Sequence, residues 1–331
     1  MHSEAPLLAI TMGDAGGIGP EIILKSLASY QLRHTRPIVI GRQTVFSRAA
    51  ATLKSPLSLK RVRDPDEAEF DSSVVNILEI DKEAREPALF GVVSSISGKD
   101  SVEAIRVAHK LSLSYPVRAI VSAPLNKRAI SEAGFEYADE CDLMSELTGA
   151  ETPMMLLISD KMRLTTLCPL HVSLRRACDN VSAKRVQQCL TILNSALIAL
   201  GVPKPVIAVA ALNPHAGEGG LLGEEEVREI VPAVTAARES GMDVWGPLPA
   251  DSLFFRASKG EFDAVLSMYH DQGRIAMKAS DFGRIKVMMI GIPTPFLTVA
   301  HGTAYDIAGR GLADSANFEE VLKVADGLSS S

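Results

Sequence analysis

The chain has little of what would tie it to an oxidising compartment, a membrane or a nucleic acid. Its four cysteines form no C-x-x-C pair, which argues against a disulfide framework. Its apolar runs, such as VMMIGIP at 287–293, have the length of strands and not of membrane spans. Basic residues are not clustered, and the net charge of −6 disfavours a phosphate backbone as the main partner.

The N-terminus lacks the basic and apolar stretches of a secretory signal, so we expect a cytoplasmic protein with a small-molecule substrate and neither nucleic-acid nor membrane partners. The 331 residues are enough for two domains. The 47% hydrophobic and 22% charged content is that of an ordinary globular chain.

Apolar, β-branched runs alternate with longer amphipathic segments. Strands are predicted at 7–12, 37–41, 74–80, 117–123, 154–159, 163–169, 206–212, 263–268 and 287–292. Helices are predicted at 20–30, 101–112, 182–201, 223–240 and 317–327. This alternation predicts an α/β fold with mainly parallel sheets.

The segment TMGDAGGIGPE at 11–21 joins a predicted strand to a predicted helix and contains four glycines. It lacks the third glycine of a dinucleotide-binding G-x-G-x-x-G and the lysine of a P-loop. Two interpretations stay open from the residues alone, a tight strand-to-helix turn and a loop that binds a ligand.

Three histidines each follow a predicted strand: His171 in CPLHVSL, His215 in LNPHAGEGG and His270 in YHDQG. Strand ends of this kind face the ligand crevice in α/β proteins. Three imidazoles there could bind a divalent metal with positions left open for substrate. Each could equally make a local hydrogen bond, and the wide spacing fixes no geometry. His301, in HGTAYDIAGRG, could likewise approach a ligand or cap a helix.

From about residue 7 to 315, these segments resemble in order the motifs of the 4-hydroxythreonine-4-phosphate dehydrogenase (PdxA) family. GDAGGIGPE is similar to the family's GD-x-x-GIGPE loop and to the start of isocitrate and isopropylmalate dehydrogenases. The resemblance implies a two-domain fold of that dehydrogenase type with a ligand cleft between the domains. It places one domain at 1–125 plus 286–331, and the other, with the metal ligands and dimer interface, at 126–285.

The resemblance also implies a site. His171, His215 and His270 would bind one divalent ion (Zn, or Mg, Mn or Co), with the third histidine supplied by the partner subunit of a homodimer. Lys278 and Asp271 would be catalytic, Asp271 by orienting an imidazole. The positions implied in NAD binding are Gly13, Asp14, Asp251, His301, Gly302, Thr303 and Ala304. For Asp251, in GPLPADSLFF, a surface turn is an equal alternative.

The chain departs from the family where substrate would bind. Glu140 and Cys141 replace an expected His-Thr pair, and Phe296 replaces an arginine that would contact phosphate. Val287 likewise replaces an expected asparagine. Losing the arginine removes a bidentate phosphate partner. Arg274 and Arg284 could compensate, or could be surface residues. The substrate positions we infer are Glu140, Cys141, Lys278, Arg284 and Phe296.

The sequence therefore predicts an NAD- and metal-dependent dehydrogenase that oxidises and then decarboxylates a hydroxy acid, with an altered and less phosphate-dependent substrate site. The first alternative is a true 4-hydroxythreonine-4-phosphate dehydrogenase of vitamin B6 biosynthesis. Two alternatives belong to other classes: a metal-dependent hydrolase or lyase without NAD, and a catalytically silent metal- or NAD-binding protein.

Overall fold

The structure, a computed structural model, describes residues 5–80, 88–137, 140–167, 172–281 and 285–329. Its strands are β1 (Leu7–Thr11), β2 (Arg36–Gly41), β3 (Ser58–Val62), β4 (Val74–Glu79), β5 (Val117–Ser122), β6 (Met154–Ile158), β7 (Arg163–Thr166), β8 (Val206–Ala210), β9 (Asp243–Leu248), β10 (Ala264–Ser267), β11 (Lys286–Ile290) and β12 (Phe296–Val299).

The helices are α1 (Gly19–Ser29), α2 (Gln43–Leu53), α3 (Ser95–Ser114), α4 (Lys127–Glu132), α5 (Glu140–Thr148), α6 (Leu174–Asp179), α7 (Ala183–Ala199), α8 (Val231–Glu239), α9 (Ala250–Ser258), α10 (His270–Ser280) and α11 (Ala316–Asp326). Shorter 3₁₀ turns cover Pro65–Glu67 and Pro214–Gly220, and a π-helix covers Glu226–Ile230.

The chain divides into two compact units, one of Met1–Ala150 with Ile292–Leu328 and one of Glu151–Gly291 with Ser329–Ser331. The first boundary was expected near residue 125, but α4 and α5 follow that point and pack against α3 of the first unit. The second was expected at 286, but β11 pairs with β6 of the second unit. The boundaries therefore move to 150 and 291.

The first unit contains a fully parallel sheet in the order β3-β4-β2-β1-β5-β12. Its central strand β1 is buried throughout. Helices α3 and α11 pack on the central and β12-side strands. Parallel strands covered by helices need apolar residues on both faces, which explains why the run LLAI shows no alternation.

The second unit contains a mixed sheet in the order β11-β6-β7-β10-β8-β9. Strands β7, β10, β8 and β9 are parallel, whereas β6 runs antiparallel to both of its neighbours. The four parallel strands end at one edge of this sheet. The segments that carry His215, Asp251 and His270 follow β8, β9 and β10, and so leave the sheet at that edge. His171, which comes after β7 in the sequence, lies outside the described residues.

Two compositional expectations can be compared with the structure. Within the described ranges, no helix is long and apolar enough to cross a membrane. Cys189 is buried, and Cys141 and Cys178 are half-buried. The fourth cysteine, Cys168, lies outside the described residues.

A buried ion pair joins the end of β2 to α3. Arg42 Nε lies 2.6 Å from Asp100 Oδ2, and Arg42 Nη2 lies 2.7 Å from Asp100 Oδ1. The two side chains are 4% and 3% exposed. A bidentate pair of this kind is strong, but its charges are stable in the interior only while both partners are present.

Asp100→Ala removes the carboxylate that faces Arg42 and leaves the guanidinium charge in the interior. We expect the free energy of unfolding to fall by about 3–5 kcal/mol. Urea unfolding followed by circular dichroism measures this change. The control is Glu132→Ala, which breaks an exposed 2.9 Å pair with Arg128 and should cost less than about 1 kcal/mol. Equal, small losses in both variants would contradict a structural role for the buried pair.

Candidate functional site

The glycine loop after β1 is a packed turn. Residues 11–20 are all buried. A Cβ on Gly17 would lie 2.8 Å from Thr303 Cβ, and one on Gly19 would lie 2.2 Å from the Met12 carbonyl oxygen. Both distances are too short for a side chain, so glycine is required for the close approach of one chain segment to another. The tight-turn interpretation therefore accounts for these glycines without a phosphate.

Asp14 fixes this loop from inside. Its side chain is fully buried, with Oδ1 accepting from the Gly16 N–H at 2.8 Å and Oδ2 from the Ser97 hydroxyl at 3.1 Å. Burial raises the pKa of Asp14 despite these hydrogen bonds. Burial raises the pKa of Tyr305, and the nearby Asp14 carboxylate raises it further. The buried Tyr305 hydroxyl nevertheless makes no hydrogen bond of ordinary geometry to a described residue.

The two segments predicted to bind NAD within the first unit lie side by side. The Ile18 N–H donates to the Thr303 carbonyl at 3.0 Å, which joins the glycine loop to the turn after β12. Thr303 is buried, whereas His301 and Gly302 are exposed. A Cβ on Gly302 would meet nothing within 4 Å. The exposed edge of this turn therefore has room for a ligand.

Helix α1 holds the chain that continues from this turn. The Gly309 N–H donates to the Glu21 carboxylate, and the Lys25 ammonium donates to the carbonyls of Gly311 at 2.9 Å and Ala313 at 2.6 Å. Glu21 and Lys25 are four residues apart, so they lie on the same face of the helix. Neither residue was predicted to hold a loop, because their spacing in the sequence does not reveal which loop they face.

His215 lies in a strained segment of the second unit. Residues 215–219 all have positive φ, including 53° at His215, 59° at Ala216 and 47° at Glu218. We call this segment the left-handed turn. Each non-glycine residue there costs roughly 1–2 kcal/mol, and such strain persists only where surrounding contacts impose it. His215 Nδ1 lies 3.2 Å from Glu218 Oε1, and its side chain is 65% exposed.

His270 is the first residue of α10. Its Nδ1 lies 2.6 Å from Asp271 Oδ1, and its side chain is 36% exposed. Gln272 fixes the start of the helix by donating to the Ala211 carbonyl at 2.7 Å and accepting from the Met268 N–H at 2.7 Å. Because Ala211 follows β8, Gln272 ties α10 to the segment that leads into the left-handed turn.

His215 and His270, the two predicted metal ligands among the described residues, share one chemical feature, a carboxylate at Nδ1. In the tautomer with the proton on Nδ1, the lone pair lies on Nε2, the form in which imidazole binds a metal. The described ranges contain no group of three or more His, Cys, Asp or Glu residues arranged to hold a metal ion. Since His171 lies outside those ranges, the three-histidine site stays a prediction.

The predicted substrate residues fall in different surroundings. Glu140 and Cys141 begin α5 in the first unit and are half-buried. Phe296 is 1% exposed in β12, and Val287 is 9% exposed in the core of the second unit. These two apolar side chains therefore pack inside their units. Arg284 lies outside the described residues.

Three basic side chains follow one face of α10. His270, Arg274 and Lys278 have i, i+4, i+8 spacing, which places them in one row. Lys278 is exposed at the far end, about 12 Å along the axis from His270 at 1.5 Å per residue. Arg274 is half-buried between them and contacts Met155 Sδ at 3.7 Å. Asp251 is exposed in the first turn of α9, also in the second unit.

These features define the class of the protein: an α/β protein of two units, with its candidate functional groups at the carboxyl ends of parallel strands. Residues 33–325 match the family described as "Pyridoxal phosphate biosynthetic protein PdxA". The chain therefore belongs to the PdxA family, as the motifs predicted.

Three similar proteins illustrate the relationship. The chain is 40% identical to the 4-hydroxythreonine-4-phosphate dehydrogenase of Beijerinckia indica, over 97% of this chain and 94% of that protein. It is 38% identical to the D-threonate 4-phosphate dehydrogenase of Cupriavidus necator, over 98% and 97% respectively. The crystal structure of a 4-hydroxythreonine-4-phosphate dehydrogenase from Burkholderia phymatum has 35% identity and a TM-score of 0.86, over 99% of this chain and all of that one. The predicted α/β fold is thereby confirmed.

Asp14 offers a test of how the glycine loop is held. In Asp14→Asn, the amide oxygen can still accept from Gly16 and the amide N–H can donate to Ser97 Oγ, while the buried charge is removed. We expect this variant to be at least as stable as wild type at pH 7. Asp14→Ala leaves both donors without their acceptor and should lose about 1–3 kcal/mol or more. Thermal unfolding of the three proteins measures the difference.

The Asp14 carboxyl group also predicts how the stability of the wild type changes with pH. Because the pKa of Asp14 is raised above 3.8, the folded protein binds more protons than the unfolded chain between those two pKa values. Wild type should therefore gain stability relative to Asp14→Asn as the pH falls through the folded pKa. A gap that widens in favour of the Asn variant on acidification would contradict this account.

Proposed function

We propose that the protein is a dehydrogenase that uses NAD and one divalent metal ion to oxidise an alcohol group of a phosphorylated hydroxy acid. The observation that carries the proposal is that His215 and His270 each have a carboxylate at Nδ1. They follow two paired parallel strands, β8 and β10. The dehydrogenase names of the relatives support the same reaction class.

The residues present fit both groups. Nitrogen donors whose second ring nitrogen meets a carboxylate are typical ligands of a borderline divalent metal. The exposed His301–Gly302 edge, beside the glycine loop, suits the adenine side of NAD. When bound, the metal ion would polarise the substrate hydroxyl and NAD would accept the hydride.

The chain's own residues have separate roles in this proposal. His171, His215 and His270 would hold the metal, and Asp271 would fix the ring of His270. The flexible, exposed Lys278 ammonium would hold the substrate carboxylate or the developing oxyanion, or donate a proton. Thr303 and Ala304 would shape the cofactor turn, and Gly13 and Asp14 would keep the glycine loop against it.

The substrate proposal follows the relatives. Both 4-hydroxythreonine 4-phosphate and D-threonate 4-phosphate carry a hydroxyl on the carbon β to a carboxylate. Oxidation there would give a 3-keto acid, whose C–C bond to the carboxylate can break with loss of CO₂, and Lys278 could then protonate the enolate carbon. Because Phe296 is 1% exposed, its side chain packs inside the unit and does not support the less phosphate-dependent substrate site that the sequence predicted. Arg274, half-buried on the face of α10 that carries His270 and Lys278, is our candidate for the phosphate contact of the missing arginine.

An NADH assay tests the function. Purified protein would be incubated with NAD and Zn²⁺, Mg²⁺, Mn²⁺ or Co²⁺, and absorbance at 340 nm would be followed. The substrates would be D-threonate 4-phosphate, the erythronate isomer, 4-hydroxythreonine 4-phosphate and a carboxylated cis-dihydrodiol. We expect turnover of a phosphorylated acid with release of CO₂.

The alternatives give different outcomes in that assay. Efficient turnover of 4-hydroxythreonine 4-phosphate would favour the vitamin B6 enzyme, despite Glu140 and Cys141. Metal binding without NAD binding would favour a hydrolase or lyase. Binding of both without turnover of any substrate would favour the silent binding protein.

Asp271→Ala tests the orientation of the metal ligand. Loss of the carboxylate frees the His270 ring to rotate and to change tautomer, so we expect metal affinity to fall about 10- to 100-fold. Isothermal titration of the metal-free protein with Zn²⁺ measures it. Glu239→Ala removes an exposed carboxylate of the same unit and should bind as wild type does. Full metal affinity in Asp271→Ala would remove this role.

We also propose that the protein is a homodimer whose sites are shared between subunits. Apolar side chains that follow the left-handed turn are exposed, which suits a surface covered by a second copy. They are Leu221 at 82%, Leu222 at 46%, Val227 at 51% and Val231 at 43%.

Mixing two variants tests the shared site. His215→Ala and His270→Ala should each be inactive alone. Random reassembly would make half of the dimers mixed, each with one intact site, so about a quarter of wild-type activity should return. Sedimentation would confirm the dimer in each sample. Dimers that regain no activity would place both histidines in sites within a single subunit.

A further inference from the structure

A buried glutamate contacts the left-handed turn that carries His215. Glu226 begins the π-helix Glu226–Ile230 and is 1% exposed. Its Oε1 accepts from the Leu212 N–H at 2.8 Å and from the Asn213 N–H at 2.7 Å. Its Oε2 accepts from Asn213 Nδ2 at 2.9 Å. One buried carboxylate thus holds the two residues that lead into the turn.

The same carboxylate abuts the middle of the turn. A Cβ on Gly217 would lie 2.7 Å from Glu226 Oε2, so only glycine leaves space for the carboxylate at this point. Gly217 is itself left-handed, with φ of 77°. Glu226 therefore contacts the segment both before and after His215. His215, the proposed metal ligand, lies between these two contacts.

The turn needs such support because its backbone is strained. His215, Ala216 and Glu218 are left-handed without being glycine, and a strained conformation is kept only where its neighbours impose it. The π-helix that supplies Glu226 is itself a rare element that occurs often at functional sites. The left-handed turn and the π-helix are therefore in contact through the Glu226 carboxylate.

We propose that Glu226 is a positioning residue that holds His215 in the orientation required to bind the metal ion. The proposal rests on the proposed function, since it assumes that His215 is a ligand. Glu226 does not touch the metal or the substrate. It acts by fixing the backbone from which the imidazole projects.

Glutamine cannot replace this glutamate. Its amide oxygen could still accept from the two backbone N–H groups, but its NH₂ would then face Asn213 Nδ2, a donor facing a donor. Asn213 cannot simply turn over, because its Nδ2 also donates to Glu225 Oε2 at 2.7 Å. The Glu226→Gln change thus removes one hydrogen bond and places a repulsive contact beside the turn, while size and shape are kept.

The experiment compares wild type, Glu226→Gln and a matched control, Glu229→Gln. Glu229 lies on the same π-helix and also accepts a backbone N–H, from Ala183 at 2.7 Å, but it does not contact the turn. Zn²⁺ affinity would be measured by titration of the metal-free proteins well below their unfolding temperatures. Activity would be measured as a function of metal concentration.

We expect Glu226→Gln to lose at least about tenfold in Zn²⁺ affinity, and to regain most of its kcat at saturating metal. Glu229→Gln should bind Zn²⁺ as wild type does, even if its unfolding temperature falls. A merely structural role would lower the unfolding temperature of Glu226→Gln without changing its metal affinity. Affinity within twofold of wild type would therefore overturn the proposal.

Asn213→Ala keeps the test decisive if Glu226→Gln does not fold. It removes only the side-chain donor and leaves both backbone hydrogen bonds to Glu226, so a smaller loss of affinity of the same kind is expected. Unchanged affinity in a folded Asn213→Ala would count against the proposal. Wild type that binds none of the four metals would overturn the proposed function itself, and this inference with it.

Discussion

Buried carboxylates that accept hydrogen bonds from backbone N–H groups hold the loops of both units. Parallel strands must be connected by segments that leave the sheet edge, and buried segments there carry amides without a strand partner. Asp14 accepts from Gly16, Glu21 from Gly309, and Glu226 from Leu212 and Asn213. A charged acceptor makes a stronger hydrogen bond than a neutral one, which explains why carboxylates occupy these positions.

A fourth carboxylate of this kind lies away from the candidate site. Asp326 at the end of α11 is 1% exposed and accepts from the N–H groups of Arg33 and His34 and from the Thr35 hydroxyl. Burial alone raises the pKa of Asp326, but these hydrogen bonds outweigh it and leave the pKa below its usual value. At Asp14, burial outweighs the hydrogen bonds and the pKa is raised. The balance between burial and hydrogen bonding at each carboxylate thus decides which form the fold stabilises.

The sequence predicted the parts of the fold that depend on apolar pattern. The nine predicted strands and five predicted helices are all present, because buried strands and amphipathic helices leave a local signature. Three strands were missed. Charged residues interrupt the pattern of β3, SLKRV, Gly246 and Pro247 interrupt that of β9, DVWGPL, and β12, FLTV, has only four residues. The family motifs located His215, His270 and Asp271. They did not locate Glu226, because the run Glu224–Glu226 reads as a solvated acidic patch until the fold buries its last member.

Each unit has a loop after a parallel strand that contains left-handed residues, but the two units accommodate them differently. In the first unit, the left-handed position of the loop after β1 is Gly13, where positive φ costs almost nothing. In the second unit, the metal ligand that we propose at position 215 must carry an imidazole, so glycine cannot stand there. The strain of a left-handed histidine, roughly 1–2 kcal/mol, then needs an offset from outside the turn. Hydrogen bonds to a charged group contribute about 1.5–3 kcal/mol each, so the three bonds to Glu226 are sufficient. The metal-binding role that we propose for His215 thus requires strain in its own backbone and a buried charge on a neighbouring element.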